Sequence, residues 1–314
     1  MLTRRHIRVK VLQSIYALHQ SDELDLKKQE KFLLYSIAQM HELYVLMLQL
    51  QVELRNYAEK YLEKSQKKHL ATELEKNPSR IFIENKVIDL IANNSALSEI
   101  IKNKKLHNWK NDDEYVGILF NELKTREWYT AYLAQESTSY KQDQEFMIRV
   151  YKEVIAPNEK LYNYLEDTRL TWLDDFPIVN TAIVKMMGKL SLKNAGSVLI
   201  PDLYKNDEDK EYALELLRKV VLNDDKLSAE IDGKTPNWDK ERIAELDLII
   251  LKLGIAEFLH FPSIPVRATI NEYLEISKEY STPKSSLFIN GILDKLVKEF
   301  TDSKKMNKIG RGLR

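Results

Sequence analysis

Residues 238–260 read WDKERIAELDLIILKLGIAEFLH, and their apolar side chains recur every three or four positions. Ile243, Leu246 and Ile250 fall on one side of a helix at this spacing, so the pattern predicts a helix with a buried stripe. The first half of the run carries four acidic side chains: Asp239, Glu241, Glu245 and Asp247. Acids at a helix start complement the helix dipole, and they also offer a surface to a basic partner.

The composition of the chain extends this helical prediction to the whole protein. Its 314 residues include eight glycines and eight prolines, about 5% of the chain, against roughly 12% in average usage. A chain so poor in turn-forming residues predicts an all-α fold. The absence of cysteine excludes disulfides, thiolate zinc sites, iron–sulfur ligation and cysteine nucleophiles, and is typical of a reducing compartment.

Apolar spacing predicts helices along most of the chain. Residues 27–68 contain neither glycine nor proline and predict one long helix. Asn77-Pro78-Ser79 ends it, and Ser79 is the predicted cap of the next helix. Further helices are predicted over 81–92, from 112 or 113 to about 137, and over 208–222, 236–260, 265–280 and 284–302.

Residues 191–209 are the least helical part of the sequence and predict a domain joint. A shift of 66 residues also lays Trp172 on Trp238 within a register of five identities over about 42 positions. This register does not decide whether the chain contains an internal duplication, because two amphipathic helical segments reach a similar number of identities by chance.

The sequence contains no pattern typical of an enzyme or a metal protein. It lacks the glycine-rich phosphate loops, the H-E-x-x-H zinc motif and the G-x-S-x-G nucleophile elbow, and its six histidines are scattered singly. We therefore predict no catalytic residue, no metal and no cofactor.

No targeting or membrane segment is predicted either. The basic start is not followed by the apolar stretch of a signal peptide. The longest strongly apolar run, residues 43–50, is far shorter than the roughly 20 residues that span a bilayer. The sequence predicts a soluble, cytoplasmic protein without a membrane partner.

The even charge balance hides two basic ends. Residues 1–20 carry a charge of +4, residues 303–314 carry +5, and the remainder has 39 basic and 48 acidic side chains, a net of −9. Arginine forks fit phosphate oxygens and stack on unpaired bases, so Arg4, Arg5 and Arg8 predict an RNA-docking helix start. A merely solvated first helix is the alternative.

Three stretches resemble one known family. Residues 4–16, RRHIRVKVLQSIY, resemble the arginine-rich start of the NusB transcription antitermination factors. Residues 264–278, IPVRATINEYLEISK, match a run with lysine or arginine after I-P-V, and residues 288–295, FINGILDK, match the closing run. The resemblance covers about 1–20 and 207–302.

The resemblance implies a NusB-like helical bundle core with an additional inserted helical region. Residues 1–20 plus 207–302 would form the RNA-binding core, and 303–314 a basic C-terminal tail. Residues 21–206 would be an insertion, because a minimal family member passes from its first helix to the equivalent of residue 210 through a modest linker.

The resemblance also implies a non-catalytic function. Family members pair with NusE, a ribosomal protein of the small subunit, on the boxA element of nascent ribosomal RNA transcripts. That pair acts in the RNA polymerase antitermination complex. A protein-interaction scaffold on the same fold, with little RNA binding, is the main alternative, and an RNA-modifying enzyme is a third.

Carried over position by position, the resemblance assigns two RNA-facing groups. The predicted RNA contacts are Arg4, Arg5, Arg8, Gln13, Tyr16, Lys284, Ser285, Phe288 and Asn290. His6 stands where the family more usually has arginine or a small residue. For the NusE contact we favour the acidic stretch, because ribosomal proteins are commonly basic: Asp239, Glu241, Glu245 and Asp247.

Gly291 lies inside the last predicted helix, where glycine costs roughly 1 kcal/mol relative to alanine. Close backbone packing is the favoured explanation, and contact with a ligand is the alternative.

Overall fold

The structure is a computed structural model that describes residues 2–21, 25–70, 72–234 and 243–313. These residues form α-helices and no β-strand, which confirms the all-α prediction. In chain order the α-helices are α1 (Arg4–His19), α2 (Leu26–Gln66), α3 (Glu73–Lys76), α4 (Lys86–Ala92), α5 (Ser95–Lys104), α6 (Asn108–Asn111), α7 (Asp113–Lys124), α8 (Glu127–Leu133), α9 (Tyr140–Val150), α10 (Glu159–Thr168), α11 (Asp175–Lys189), α12 (Ala195–Val198), α13 (Asp207–Val221), α14 (Asp224–Ile231), α15 (Glu245–His260), α16 (Val266–Tyr280) and α17 (Ser285–Asp302).

The helices divide into two compact units. Unit 1 consists of residues 1–37 and 203–314, and unit 2 consists of residues 38–202. The long helix α2 contributes its first turns to unit 1 and the rest to unit 2. No helix in the described ranges is long and apolar enough to cross a membrane.

Helix α15 is the centre of unit 1. It packs against α1, α13, α14, α16 and α17. Buried side chains therefore occur on every side of it, including Ile249, Leu251 and Ile255 in addition to the predicted Ile250. The predicted burial is confirmed at Ile250, and burial extends beyond one stripe, because a helix surrounded by others has no solvent face along its middle.

The two glycines of α15 and α17 differ in what surrounds them. A Cβ at Gly254 would lie 3.0 Å from Leu293 Cδ2, so this glycine allows α15 and α17 to approach closely. A Cβ at Gly291 would meet nothing within 4 Å. The favoured explanation of Gly291 by close packing was therefore wrong, and the contact with a ligand remains.

Unit 2 corrects two helix boundaries. The helix predicted over 81–92 begins only at Lys86, because the buried side chain of Asn85 accepts hydrogen bonds from the amides of Val87 and Ile88. Ser79 is not its cap. Asn85 also donates to the Tyr132 hydroxyl at 3.0 Å, a contact between residues 47 positions apart.

The helix predicted to run to about 137 is two helices, α7 and α8, which meet at Thr125 and Arg126. Arg126 has extended backbone angles, and its side chain turns back to Glu122 at 2.6 Å. No glycine or proline marks this break, so the sequence pattern did not reveal it.

The observed units divide the chain at 37/38 and 202/203, whereas the predicted boundaries are 20/21 and 206/207. Unit 1 includes the first turns of α2, where Glu30 accepts two hydrogen bonds from Arg218 at 2.6 and 3.0 Å. It also includes the C-terminal tail. The internal duplication stays a prediction, since Trp238 lies outside the described residues.

Candidate RNA-binding surface

Helix α1 begins with a capping box. The Thr3 side chain accepts a hydrogen bond from the His6 amide, and His6 Nδ1 accepts one from the Thr3 amide at 3.3 Å. This reciprocal pair satisfies amide groups that the first turn of a helix leaves without partners. His6 therefore has a structural role at the start of α1.

Arg8 lies on the buried side of α1. Its Nε and Nη2 donate to the two carboxylate oxygens of Glu257 at 2.6 and 3.0 Å, and its Nη1 lies 3.7 Å from Glu272. Only 4% of its side chain is exposed. A phosphate cannot reach this guanidinium without opening the core, so the predicted RNA contact of Arg8 does not fit the structure.

Glu257 is the centre of a buried polar cluster. Besides Arg8, it accepts hydrogen bonds from the hydroxyls of Tyr212, Thr269 and Tyr273. Burial disfavours its ionised form, but the charge of Arg8 and these donors hold the pKa of Glu257 below its ordinary value. Burial and the carboxylate raise the pKa of both tyrosines well above its ordinary value, so they remain donors.

Arg4 and Arg5 are more open than Arg8. Arg5 donates to Glu272 at 2.8 and 3.1 Å, and Arg4 donates to Asp209 at 2.9 Å and lies over the Tyr212 ring. The exposed fraction of the side chain is 38% for Arg5 and 37% for Arg4. The hydrogen bond with Glu272 raises the pKa of Arg5. Each guanidinium has five N–H donors, so both retain donors that can reach solvent.

Gln13 and Tyr16 lie further along the same helix. Tyr16 is 39% exposed and Gln13 is half-buried. Tyr16 follows Arg5 by eleven residues, about three helical turns, so the two residues lie on the same side of α1. The distance from Arg4 to Tyr16 along the helix is about 18 Å at 1.5 Å per residue.

The predicted residues at the start of α17 fall into two classes. Lys284 is exposed and Asn290 is half-exposed, with its Nδ2 donating to Asp294 at 3.1 Å. Ser285 is buried, and its hydroxyl donates to Asp247 at 2.7 Å. Phe288 is 8% exposed. Lys284 and Asn290 can therefore meet a ligand directly, whereas Ser285 and Phe288 position the helix.

The acidic stretch splits in the same way. Asp247 is 6% exposed and accepts hydrogen bonds from Ser281 and Ser285 at 2.6 and 2.7 Å, so its carboxylate holds the start of α17 in place. That placement does not fit the predicted contact of Asp247 with a protein partner. Glu245 is 40% exposed. The predicted partner residues Asp239 and Glu241 lie outside the described residues.

The first turn of α15 connects the two groups of predicted RNA contacts. Glu245 accepts a hydrogen bond from Gln20 at 2.8 Å, at the end of α1, and two residues later Asp247 binds the start of α17. Tyr16 and Lys284 are therefore at one end of unit 1. Arg4 and Arg5 are at the other end, next to the buried Arg8–Glu257 pair.

The structure adds one cation that sequence reasoning missed. Arg267 is exposed in the first turn of α16, and among the described residues it has no hydrogen-bond or ion-pair partner. The I-P-V-(K/R) run contains a basic residue at this position, and that signal was available in the sequence. Within the described ranges, no group of three or more His, Asp or Glu side chains could hold a metal ion.

Comparison with known proteins gives the same family at the same helices. The model of the NusB family matches residues 185–298, which include α13 to α16 and most of α17. The transcription antitermination protein NusB of Salinibacter ruber is 34% identical over 110 residues, which are 34% of this chain and 69% of the relative. The chain belongs to the NusB family.

Two further NusB relatives show the same extent of similarity. The protein of Geobacter sp. is 37% identical over 102 residues, which are 32% of this chain and 70% of the relative. That of Chloroherpeton thalassium is 34% identical over 121 residues, which are 38% of this chain and 57% of the relative. The chain thus spans little more than half the length of the Chloroherpeton thalassium relative. No solved structure gives a significant match to this chain.

The NusB family consists of non-enzymatic regulators of transcription, in agreement with the prediction that the chain is not an enzyme. The family model begins at residue 185, so the arginine-rich helix α1 lies outside the matched range. The functional argument for α1 therefore depends on its own geometry.

Proposed function

We propose that this chain is an RNA-binding transcription antitermination factor of the cytoplasm. It would pair with the ribosomal protein NusE on the boxA RNA of ribosomal RNA transcripts, as part of the RNA polymerase antitermination complex. The observation that carries the RNA assignment is the pair of half-exposed arginines, Arg4 and Arg5, at the first turn of α1 in a NusB family protein.

The geometry of Arg5 supports a phosphate contact. Its Nε and Nη2 are bound by Glu272, which fixes the plane of the guanidinium, and its remaining N–H groups reach the half-exposed side. A guanidinium held in place loses less side-chain entropy when it binds an anion. RNA phosphates would then bind those N–H groups of the Arg5 guanidinium that do not contact Glu272.

Tyr16, Lys284 and Asn290 provide the second part of the proposed surface. An exposed tyrosine ring stacks on an unpaired base, and Lys284 neutralises a phosphate. Gly291 follows Asn290 and faces open space, so it leaves room for an RNA strand to approach the backbone of α17. The two parts are separated by about 18 Å along α1, a distance that a short single strand can cover.

The pairing with a second protein follows from the small number of cations. Each neutralised phosphate of a single strand contributes about 0.7 to the salt dependence of binding, so three or four contacts give only a modest affinity. A basic ribosomal protein would add contacts. Glu245, with Asp239 and Glu241, remains the proposed acidic surface for it.

We also propose that the two units have different functions. Unit 1 contains α1 and the larger part of the family match, and we assign the RNA-binding core to it. Residues 38–202 would then be an insertion that serves other contacts of the protein.

The RNA assignment is tested with the double substitution Arg4→Ala/Arg5→Ala and a labelled boxA-like single-stranded RNA, with and without NusE. Loss of two phosphate contacts should flatten the plot of log K against log salt by about 1.4 and weaken binding about 25-fold at 0.1 M salt. Fluorescence anisotropy at several salt concentrations measures both quantities.

Unit 2 offers a matched control in Arg126→Ala/Arg149→Ala. These arginines are also half-exposed and each is paired with a glutamate, at 2.6 and 2.9 Å. This control should bind like the wild type. Equal binding by the Arg4/Arg5 variant and the wild type would refute the assignment, and a wild type that binds no RNA at low salt would favour the scaffold function instead.

A further inference from the structure

The C-terminal tail, residues 303–313, is docked on the loop between α15 and α16, residues 261–265. Lys308 Nζ donates to the carbonyl oxygens of Glu257 and Phe261 at 3.1 and 3.0 Å. The amide of Ile309 donates to the Pro262 carbonyl oxygen at 3.1 Å. An ammonium at the carboxyl end of a helix also complements the helix dipole. Main-chain and side-chain contacts thus hold the tail.

Two glycines shape the docked segment around Arg311. Gly310 has a positive φ of 53°, which a side chain rarely adopts. Gly312 is buried, and a Cβ there would lie 2.0 Å from the Pro262 carbonyl oxygen. The turn can therefore pack against the loop only if positions 310 and 312 are glycine. It leaves the side chain of Arg311 exposed.

The docked tail lies at the same end of unit 1 as Arg4. The Arg4 guanidinium lies 5.1 Å from the centre of the Tyr212 ring, which lies 5.3 Å from the Phe261 ring. Phe261 in turn accepts the hydrogen bond from Lys308. A continuous series of contacts thus connects the first turn of α1 to the tail.

Arg267 and Arg311 differ from the arginines of α1 at this end. Arg4, Arg5 and Arg8 each pair with a carboxylate, and Lys308 binds two carbonyl oxygens. Neither Arg267 nor Arg311 has a hydrogen-bond or ion-pair partner among the described residues. Arg267 follows Pro265 by two residues and Arg311 precedes Gly312, so elements that contact the loop 261–265 carry both.

We propose that Arg267 and Arg311 bind backbone phosphates of the same single-stranded RNA that Arg4 and Arg5 contact. This inference rests on the proposed function and extends its surface from α1 across the loop to the tail. An unpaired guanidinium can offer two parallel N–H donors to one phosphate. Docking of the tail before binding removes part of the entropy cost of ordering Arg311.

The test measures RNA binding by the full-length Arg267→Ala, Arg311→Ala and doubly substituted proteins. Each lost phosphate contact should flatten the salt dependence by about 0.7 and weaken binding about fivefold at 0.1 M salt. The double variant should therefore bind about 25-fold more weakly than the wild type. Lys226→Ala is the matched control, since Lys226 is exposed on α14 of the same unit.

The outcomes separate this inference from the proposed function. If the wild type binds RNA and the double variant binds it with the same affinity and the same salt dependence, the inference is overturned. The proposed function is not affected by that result. Absence of RNA binding by the wild type overturns the proposed function and the inference with it.

Gly312→Ala tests whether docking matters without changing any charge. The new Cβ should displace the tail, which weakens binding while the cations remain and the salt slope changes little. A Gly312→Ala protein that binds as tightly as the wild type would contradict the role of the docked tail.

Discussion

Arg5 and Arg8 stand three residues apart on α1, and each holds a glutamate through two hydrogen bonds. The Arg5 pair keeps 38% of the arginine side chain exposed, whereas the Arg8 pair keeps 4%. The same chemical pair is thus part of the surface in one case and part of the core in the other.

The exposed pair and the buried pair should therefore contribute differently to the stability of the protein. A half-exposed pair in water adds little to stability, about 0–1 kcal/mol, because solvent screens it and two side chains lose freedom. A buried pair is different, since removal of one partner leaves an uncompensated charge in the core. We therefore expect Arg8 to govern folding and Arg5 to govern RNA binding.

The largest expected effect is that of Arg8→Ala. It should lower the free energy of unfolding by about 3–5 kcal/mol, because Glu257 remains buried without its counter-charge. Arg8→Lys keeps the positive charge but not the planar guanidinium that binds both oxygens of Glu257. Its loss of unfolding free energy should therefore be smaller than that of Arg8→Ala. Urea or thermal unfolding measures all three proteins.

Arg5→Ala is the matched control for this effect, since it breaks the same kind of pair at the surface. Its expected loss is at most about 1 kcal/mol. Equal losses for the two substitutions would remove the distinction between the faces of α1.

An effect of intermediate size is expected for Tyr16→Ala on the exposed face. Loss of base stacking should weaken RNA binding by about 1–3 kcal/mol and leave the salt slope unchanged, since no charge is removed. Tyr16→Phe keeps the ring and should bind like the wild type. Anisotropy titrations at two salt concentrations distinguish this pattern from that of the arginines.

If Tyr16→Phe loses as much affinity as Tyr16→Ala, the ring does not stack on a base. A change in salt slope on Tyr16→Ala would likewise speak against stacking.

A pH-dependent effect is expected for Lys308, whose side chain is half-buried and is thus intermediate in exposure between Arg5 and Arg8. Burial lowers the pKa of Lys308 to about 8, from 10.5 in the unfolded chain. Below pH 8 both states bind the proton, and the cost of the half-buried ammonium is fully present. Between pH 8 and 10.5 the unfolded state binds more protons, so the free energy of unfolding should rise with pH.

The measurement compares the pH dependence of unfolding for the wild type and Lys308→Met. The contribution that rises from pH 8 should be absent from the variant. The difference between the two proteins cancels the pH-dependent contributions that both proteins share. Parallel curves for both proteins would show that Lys308 is not desolvated.

Much of the helical architecture was predictable from local patterns. The absence of glycine and proline over 27–68 predicted α2, and the apolar spacing of 265–280 and 284–302 predicted α16 and α17 within one or two residues. The start of α4 was not predictable, because Asn85 is fixed by Tyr132, a residue 47 positions away.

The site was predictable as a set of residue types but not as a surface. The arginine-rich start pointed to α1, yet helical spacing alone did not separate Arg8 from Arg4 and Arg5. That separation depends on Glu257 and Glu272, which lie about 250 residues away on α15 and α16. Arg267 was missed for a related reason, since only the structure shows that it lacks a partner.

Composition, apolar spacing and family motifs by themselves established an all-α protein with a NusB segment and two basic ends. These properties are local, so the order of residues along the chain encodes them directly. The tertiary structure alone decided which cations are buried, which acids hold helices together and where the basic tail docks. Those outcomes depend on burial and on partners distant in sequence, and both exist only once the helices of unit 1 have packed around α15.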